Sequence, residues 1–471
     1  MTMLGEDVLY LSVSELAERI RTRKLSPVEL AESYLERSRQ LGPRLAAYAT
    51  LTEDLARQQA RQAEQEIAAG KYRGPLHGVP YAAKDLLAVR GYPTTWGATV
   101  FADQRFDYDA TVISRLREAG AVLLGKAAMI ELAGGMGYRF ASASHTGPAR
   151  NPWNHECWTC GSSSGSAAIV AAGLAAFAVG SETWGSIVCP SGFTGISGLR
   201  PTYGRVGRGG AMALSYSLDK LGPLARSAAD CELILSTIAG HDPADAGSLP
   251  QSEAAFPSIT DQESDHQGLR IGWLTNAWKQ ISPAVQQPLT EARAVLERSG
   301  AQVEIKDVAL PEGPWEAAAG VVLGAEVASA FDEFIESGKI AQLTDPEGRI
   351  GGYVNQQIGG ADVVRANRVR RIAQKKMREL FQNLDVVATA SLPVLASKIT
   401  ANLDDELTFP DPLGGIGNFC GLPAASVPCG FSNGLPVGLQ FVGPALGEHQ
   451  VLRAAKLFQQ HTHWHRRGPK L

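Results

Sequence analysis

What this chain lacks narrows its possibilities before any motif is read. Cysteine is scarce, six in 471 residues, too few for a disulfide scaffold in a chain of this length. Charge of one sign is not in excess: 44 Lys and Arg against 48 Asp and Glu leave a formal net charge of −4, with no footprint for nucleic acid or an anionic membrane. Long hydrophobic runs are missing too. The longest apolar stretch, Ala167–Gly180, is too short to span a bilayer and is rich in Ala and Gly. The opening MTMLGEDVLYLSVSEL is acidic where a secretory signal would be basic and then cleanly apolar. A cytoplasmic protein is expected on these grounds.

Metal-ligand patterns are equally thin. Cys157 and Cys160 form a lone C-x-x-C with no second pair, and Cys420 and Cys429 are spaced differently. His461, His463 and His465 alternate in a polar tail that reads as a solvated end. Neither a metal nor an organic cofactor is expected. One basic segment stands out, with Arg365, Arg368, Arg370, Arg371, Lys375, Lys376 and Arg378 on a helix over about 362–381. Its Glu and Gln neighbours make it a solvated face rather than an RNA contact.

What is plentiful is core-forming and turn-forming material: 44% hydrophobic residues, 20% charged, and 50 glycines. Residues 1–70 read as a helical N-terminal part. Ser12-Val-Ser-Glu15 and Ser26-Pro27-Val-Glu29 have the form of capping boxes, and a third helix runs from about Thr52 to Ala69. From Pro75 the texture changes to short apolar runs between helix-length stretches. VPYAAKDLL, AVLLGK and AAIVAAGLAAFAVGS read as strands of a buried sheet. A polar surface linker is expected over 241–268. After it LRIGWL, a helix near 283–298 and AQVEIKDV resemble one βαβ unit, and LDVVATAS reads as another buried strand. The expected fold class is α/β, a single large domain with a central mixed β-sheet covered by helices.

Two serine-and-glycine loops carry the chemistry. Gly161-Ser-Ser163-Ser-Gly165 matches the G-x-S-x-G nucleophile elbow, but no apolar strand precedes it and the later histidines lie in polar segments. A serine can instead be activated by a neutral lysine, and burial is what makes a lysine neutral near pH 7. Lys84, inside GVPYAAKDLL, meets that description, although it could also snorkel or pair with Asp85. The second loop, Gly180-Ser-Glu-Thr-Trp-Gly-Ser186, is a turn able to aim several N–H groups at one point, as an oxyanion hole requires.

These residues carry a resemblance to the amidase signature family, serine hydrolases with a Ser–Ser–Lys triad. The blocks PLHGVPYAAKDLLAVRGYPTT, GKAAMIELA, GPARNPW, CGSSSGSAA, GSETWGSIVCPSGFTGISGLRPTYGRV, SLDKLGPLARSAAD and GLPAASVPCG with LPVGLQFVG follow in that family's order over most of the chain. The resemblance implies Ser186 as nucleophile, Ser162 as bridging serine after a cis peptide bond, and Lys84 as base. It implies an oxyanion hole from the N–H groups of Thr183, Trp184, Gly185 and Ser186, and no cofactor; Ser163 and Ser164 read as loop structure and hydrogen bonding, with a supporting role for Ser163 as the lesser reading. Met129, Tyr138, Trp184, Ile187 and Phe193 are the expected pocket lining.

The chain also departs from the family. Trp184 stands where glycine is common, Val188 where arginine accompanies carboxylate-bearing substrates, and Ala127-Ala128 where Thr-Asn is common. These point to a neutral, fairly apolar amide, with anilides, carbamates and esters as candidates. The alternatives are the glutaminase subunit of a tRNA-dependent amidotransferase and a catalytically silent scaffold. The expected partner is the small-molecule amide; a homodimer is left open.

Overall fold

The computed structural model describes residues 4–256, 268–299, 303–406 and 411–471. Its strands are β1 (Tyr48–Leu51), β2 (Pro80–Lys84), β3 (Val122–Ala127), β4 (Arg150–Asn151), β5 (Asn154–Trp158), β6 (Phe177–Glu182), β7 (Ser197–Arg200), β8 (Lys220–Ala225), β9 (Leu269–Leu274), β10 (Val303–Val308), β11 (Val386–Ala390), β12 (Ala424–Ser432) and β13 (Leu435–Val442). Eleven of them form one sheet in the order β1-β3-β2-β6-β8-β7-β12-β13-β11-β9-β10, and β4 and β5 make a separate hairpin.

The sheet is mixed. β2 runs parallel to β3 and to β6, and β9 runs parallel to β10 and β11, whereas the neighbours along β6-β8-β7-β12-β13-β11, and the β1–β3 pair, run antiparallel. Every residue of β2, β3, β6 and β8 is buried, as strands covered by helices on both faces must be. β10 lies at the sheet edge and alternates half-buried with exposed positions over most of its length. The parallel β9–β10 pair is joined through helix Pro283–Arg298, so the βαβ unit legible in the sequence is present.

The N-terminal part is not helix alone. Ser12 makes a full capping box with Glu15, while Ser26 caps by accepting from Val28 and Glu29 N–H groups and turns its own hydroxyl to Glu64. Between helices Pro27–Leu45 and Glu53–Ala68 the chain forms β1, which adds to the sheet edge against β3.

The run read as one strand, AAIVAAGLAAFAVGS, divides. Its first half belongs to helix Ser164–Ala171, a turn with Gly173 at φ +63° follows, and only Phe177–Glu182 is strand. A fully buried run has no polar face, so hydrophobic periodicity cannot separate helix from strand; the alanines favour the helix. The small residues have a second purpose. A Cβ on Gly165 would stand 2.3 Å from the Ala47 carbonyl oxygen and 2.4 Å from the Ala128 nitrogen, so this helix packs at backbone distance on its neighbours.

The segment NPWNHECWTC, read as a loop, contains the β4–β5 hairpin. The expected linker over 241–268 is partly anchored: Asp242 is buried and accepts from the Gly209 N–H, Asp245 pairs with Arg208 at 2.8 Å, and Phe256 is buried. Residues 257–267 of it lie outside the described residues. Among the described residues no helix is long and apolar enough to cross a membrane.

Candidate active site

Lys84 closes β2 and Ser181 lies near the end of the parallel neighbour β6, so the carboxyl ends of two adjacent parallel strands deliver them to one point. The loop before helix Ser164–Ala171 brings Ser162 to the same place. Lys84 Nζ lies 2.6 Å from Ser162 Oγ and 2.8 Å from Ser181 Oγ. The lysine is fully buried, and no carboxylate pairs with it among the described residues. Burial drives its pKa down to about 7, against the opposing pull of the Asp219 and Glu182 carboxylates. Asp85, the alternative partner in the sequence, is taken by Lys126 at 2.8 Å. The Gly161–Ser162 peptide bond is cis.

Ser163 accepts from the Ser181 N–H at 3.3 Å and donates to the Ser181 carbonyl at 3.1 Å. It therefore ties the serine loop to β6 from a fully buried position, and among the described residues no histidine hydrogen-bonds to it to complete an elbow.

The turn after β6 carries Ser186. Its hydroxyl makes no hydrogen bond among the described residues, and its residue is 7% exposed. The N–H groups of Trp184, Gly185 and Ser186 likewise donate to no backbone acceptor among the described residues. Gly185 adopts φ +82°, and a Cβ there would lie 2.7 Å from Cys189 Sγ, so this position needs glycine on two counts. Ser162 and Ser186 are not hydrogen-bonded to each other; in unliganded sites such contacts often tighten only around the substrate.

The turn is held by residues that motif reading did not single out. Glu182 accepts from the N–H groups of Ile187 at 2.8 Å and Val188 at 2.9 Å, bridging the turn from its first residue to the helix beyond. Arg200 at 2.6 Å and Asn418 at 3.0 Å complete its shell. Burial works against ionisation of this carboxyl, but Arg200 and Lys220 outweigh it and hold the pKa at about 2. Thr183 donates to Asp219 at 2.6 Å, and Asp219 also accepts from the Leu214 and Ser215 N–H groups. An acidic residue beside a Gly-Ser turn is a weak sequence signal, because its partners Arg200 and Asn418 are distant in the chain.

The expected pocket residues separate. Met129 and Ile187 are fully buried in the main core; Ile187 packs on Gly198 and Gly222 of the sheet rather than lining an opening. Tyr138 and Phe193 share a smaller cluster with Trp158, Cys160 and Cys189 behind the turn. Trp184 turns its indole toward Gly415 and the cluster of Val188, Trp315 and Phe419. Val188 is fully buried in that apolar cluster. Asp411, absent from the sequence-based candidates, is half-buried with its carboxylate 4.0 Å from Cys189 Sγ. Burial and the nearby Glu182 push its pKa up to about 7. A cavity of about 240 Å³ adjoins the Lys84 side, with Leu86, Ala133, Met212, Leu214 and Leu221 beside Ser181 and Thr183.

The six cysteines are free thiols, all buried, and among the described residues no cluster of His, Cys, Asp or Glu is arranged to hold a metal ion.

A family model described as Amidase matches residues 29–452. The chain belongs to the amidase signature family. Within that family it is 37% identical, over 99% of both chains, to a glutamyl-tRNA(Gln) amidotransferase subunit from Moorella thermoacetica. Among solved structures it resembles the peptide amidase of Stenotrophomonas maltophilia (31% identity, TM-score 0.85, 98% of each chain). It also resembles the corresponding amidotransferase subunit of Thermotoga maritima (28% identity, TM-score 0.79, 98% of this chain and 96% of that one). As a member of this family the chain is an enzyme acting on amide carbon–nitrogen bonds, and its large mixed sheet flanked by helices is the family fold.

Proposed function

We propose that this amidase works through an acyl-enzyme on Ser186. The observation that carries the reading is Lys84, buried, free of a carboxylate partner and 2.6 Å from Ser162. Neutral Lys84 draws the proton from Ser162, which draws one from Ser186 as substrate closes the second contact. Ser186 Oγ then attacks the carbonyl carbon. The oxyanion accepts from N–H groups of the Thr183–Ser186 turn, each such donor contributing roughly 2.7–4 kcal/mol to transition-state stabilisation. The relay returns a proton to the leaving nitrogen, since amines leave poorly as anions, and water hydrolyses the ester.

For the substrate, the identity to a glutamyl-tRNA(Gln) amidotransferase subunit over the whole chain supports glutamine and a multi-subunit setting. Against that reading stands the missing arginine at Val188, whose side chain fills an apolar cluster instead. Asp411 beside the turn is the acidic group suited to an α-ammonium. The neutral, apolar amide, with anilides, carbamates and esters, is the second reading, supported by the apolar side of the cavity next to Thr183.

Labelling with a small fluorophosphonate, followed by intact mass and peptide mapping, tests the nucleophile. One adduct on Ser186, abolished in Ser186→Ala, is expected. An adduct on Ser163, or none in a folded protein that also cleaves no activated ester, overturns the mechanism and favours a silent scaffold. Asp411→Asn then separates the substrates: it raises KM for glutamine if glutamine is bound through its ammonium, and leaves anilide hydrolysis unchanged.

A further inference from the structure

A second cleft, of about 550 Å³, shares no residue with the catalytic turn. Its walls come from the first turn of helix Val13–Arg21, the first turn of helix Ala228–Ile238, the end of helix Glu448–Gln460 and the tail at His465 and Arg466. Most of this wall, Tyr10–Glu15 and Lys456–Arg466, lies outside residues 29–452, the part matched by the family model.

The charges in it are unevenly committed. Lys456 is paired with Glu232 at 2.7 Å, and Glu15 is occupied in the cap of its helix, accepting from Ser12 N–H and Oγ. Arg226 has no such partner. It is 6% exposed, its guanidinium lies 4.5 Å over the Tyr10 ring, and it donates only at 3.4 Å to the Val170 carbonyl and 3.3 Å to the Arg467 carbonyl. No carboxylate pairs with it among the described residues. Arg466 adds an exposed guanidinium, and burial together with Arg466 and Arg226 holds His465 down at about 4. The His465 ring is therefore neutral, and its buried Nδ1 has no hydrogen-bond partner. Asp230 and the wall residue Glu15 attract Arg226 without forming an ion pair with it; a nearly buried guanidinium compensated only through space is a costly arrangement that an anionic ligand in direct contact relieves.

We propose that this cleft binds the phosphate monoester of a small organic molecule, with the phosphate between Arg226 and Arg466. A phosphate presents three terminal oxygens, and the wall supplies donors beyond the two guanidiniums, the Ser14 and Ser227 hydroxyls. Both helices begin at the cleft, so their positive ends add to the attraction. The volume exceeds the needs of an inorganic ion, leaving room for an organic remainder beside Tyr10.

Calorimetric titration with phenyl phosphate at constant ionic strength tests this. Saturable one-to-one binding is expected, weakened about 10-fold or more in Arg466→Gln through loss of one charge-assisted contact. Arg226→Gln should abolish it; because that residue is buried, the exposed Arg466 keeps the test decisive should the first variant not fold. Absence of saturable binding, equal binding of benzoate, or unchanged binding in Arg466→Gln overturns the proposal.

Discussion

Two lysines lie fully buried on adjacent parallel strands, and they differ in what surrounds them. Lys126 on β3 meets Asp85 at 2.8 Å and Thr94 Oγ1 at 2.8 Å. Lys84 on β2, in the next register position, meets two hydroxyls and, among the described residues, no carboxylate. Burial lowers the pKa of both, and only at Lys126 does a carboxylate in direct contact, Asp85, resist it. Burial alone therefore does not distinguish the two: in the proposed mechanism Lys84 is the base because, among the described residues, it is buried with no carboxylate in contact.

The two positions should respond oppositely to the same substitution. Lys84→Met should lose about 10²–10⁴-fold in amide turnover, the range of one general acid–base group. It should also stabilise the fold near pH 7. The unfolded lysine, with a pKa of about 10.4, binds a proton between about pH 7 and 10.4 that the folded one does not. Wild-type stability from this group thus rises with pH across that window, and the advantage of Lys84→Met should shrink toward pH 10 in urea melts. Lys126→Met should cost about 3–5 kcal/mol by leaving Asp85 buried and unpaired, while turnover per folded molecule stays within a few-fold. If Lys126→Met instead abolishes turnover in folded protein, the assignment of the base to Lys84 fails.

A smaller effect is expected in the pH profile of the wild type. Activity should rise through about pH 7 as Lys84 deprotonates, and a flat profile would remove the lysine from the relay. Smallest of all, Ser163→Ala should cost about 1 kcal/mol of stability through lost hydrogen bonding to Ser181, with labelling of Ser186 intact.

Much of the architecture was legible because it rests on local chemistry. Ser12 with Glu15 caps a helix by contacts three residues apart, and LRIGWL and AQVEIKDV pair as parallel strands around one amphipathic helix. The failures occur where local pattern is silent. Ala167–Gly180 is apolar on every side, so its period could not divide helix from strand. Ile187 and Met129, expected to line the pocket, are both fully buried in the main core.

The candidate groups were nameable from the sequence: a lysine inside an apolar strand, serines at both ends of a small-residue run, and a glycine before the second serine. Their environment was not. Asp85 follows Lys84 in the chain yet pairs with Lys126, and Glu182 takes its partners from positions 200 and 418. Electrostatic environment depends on which groups come within a few ångströms through space, and only the packing of the sheet against its helices decides that.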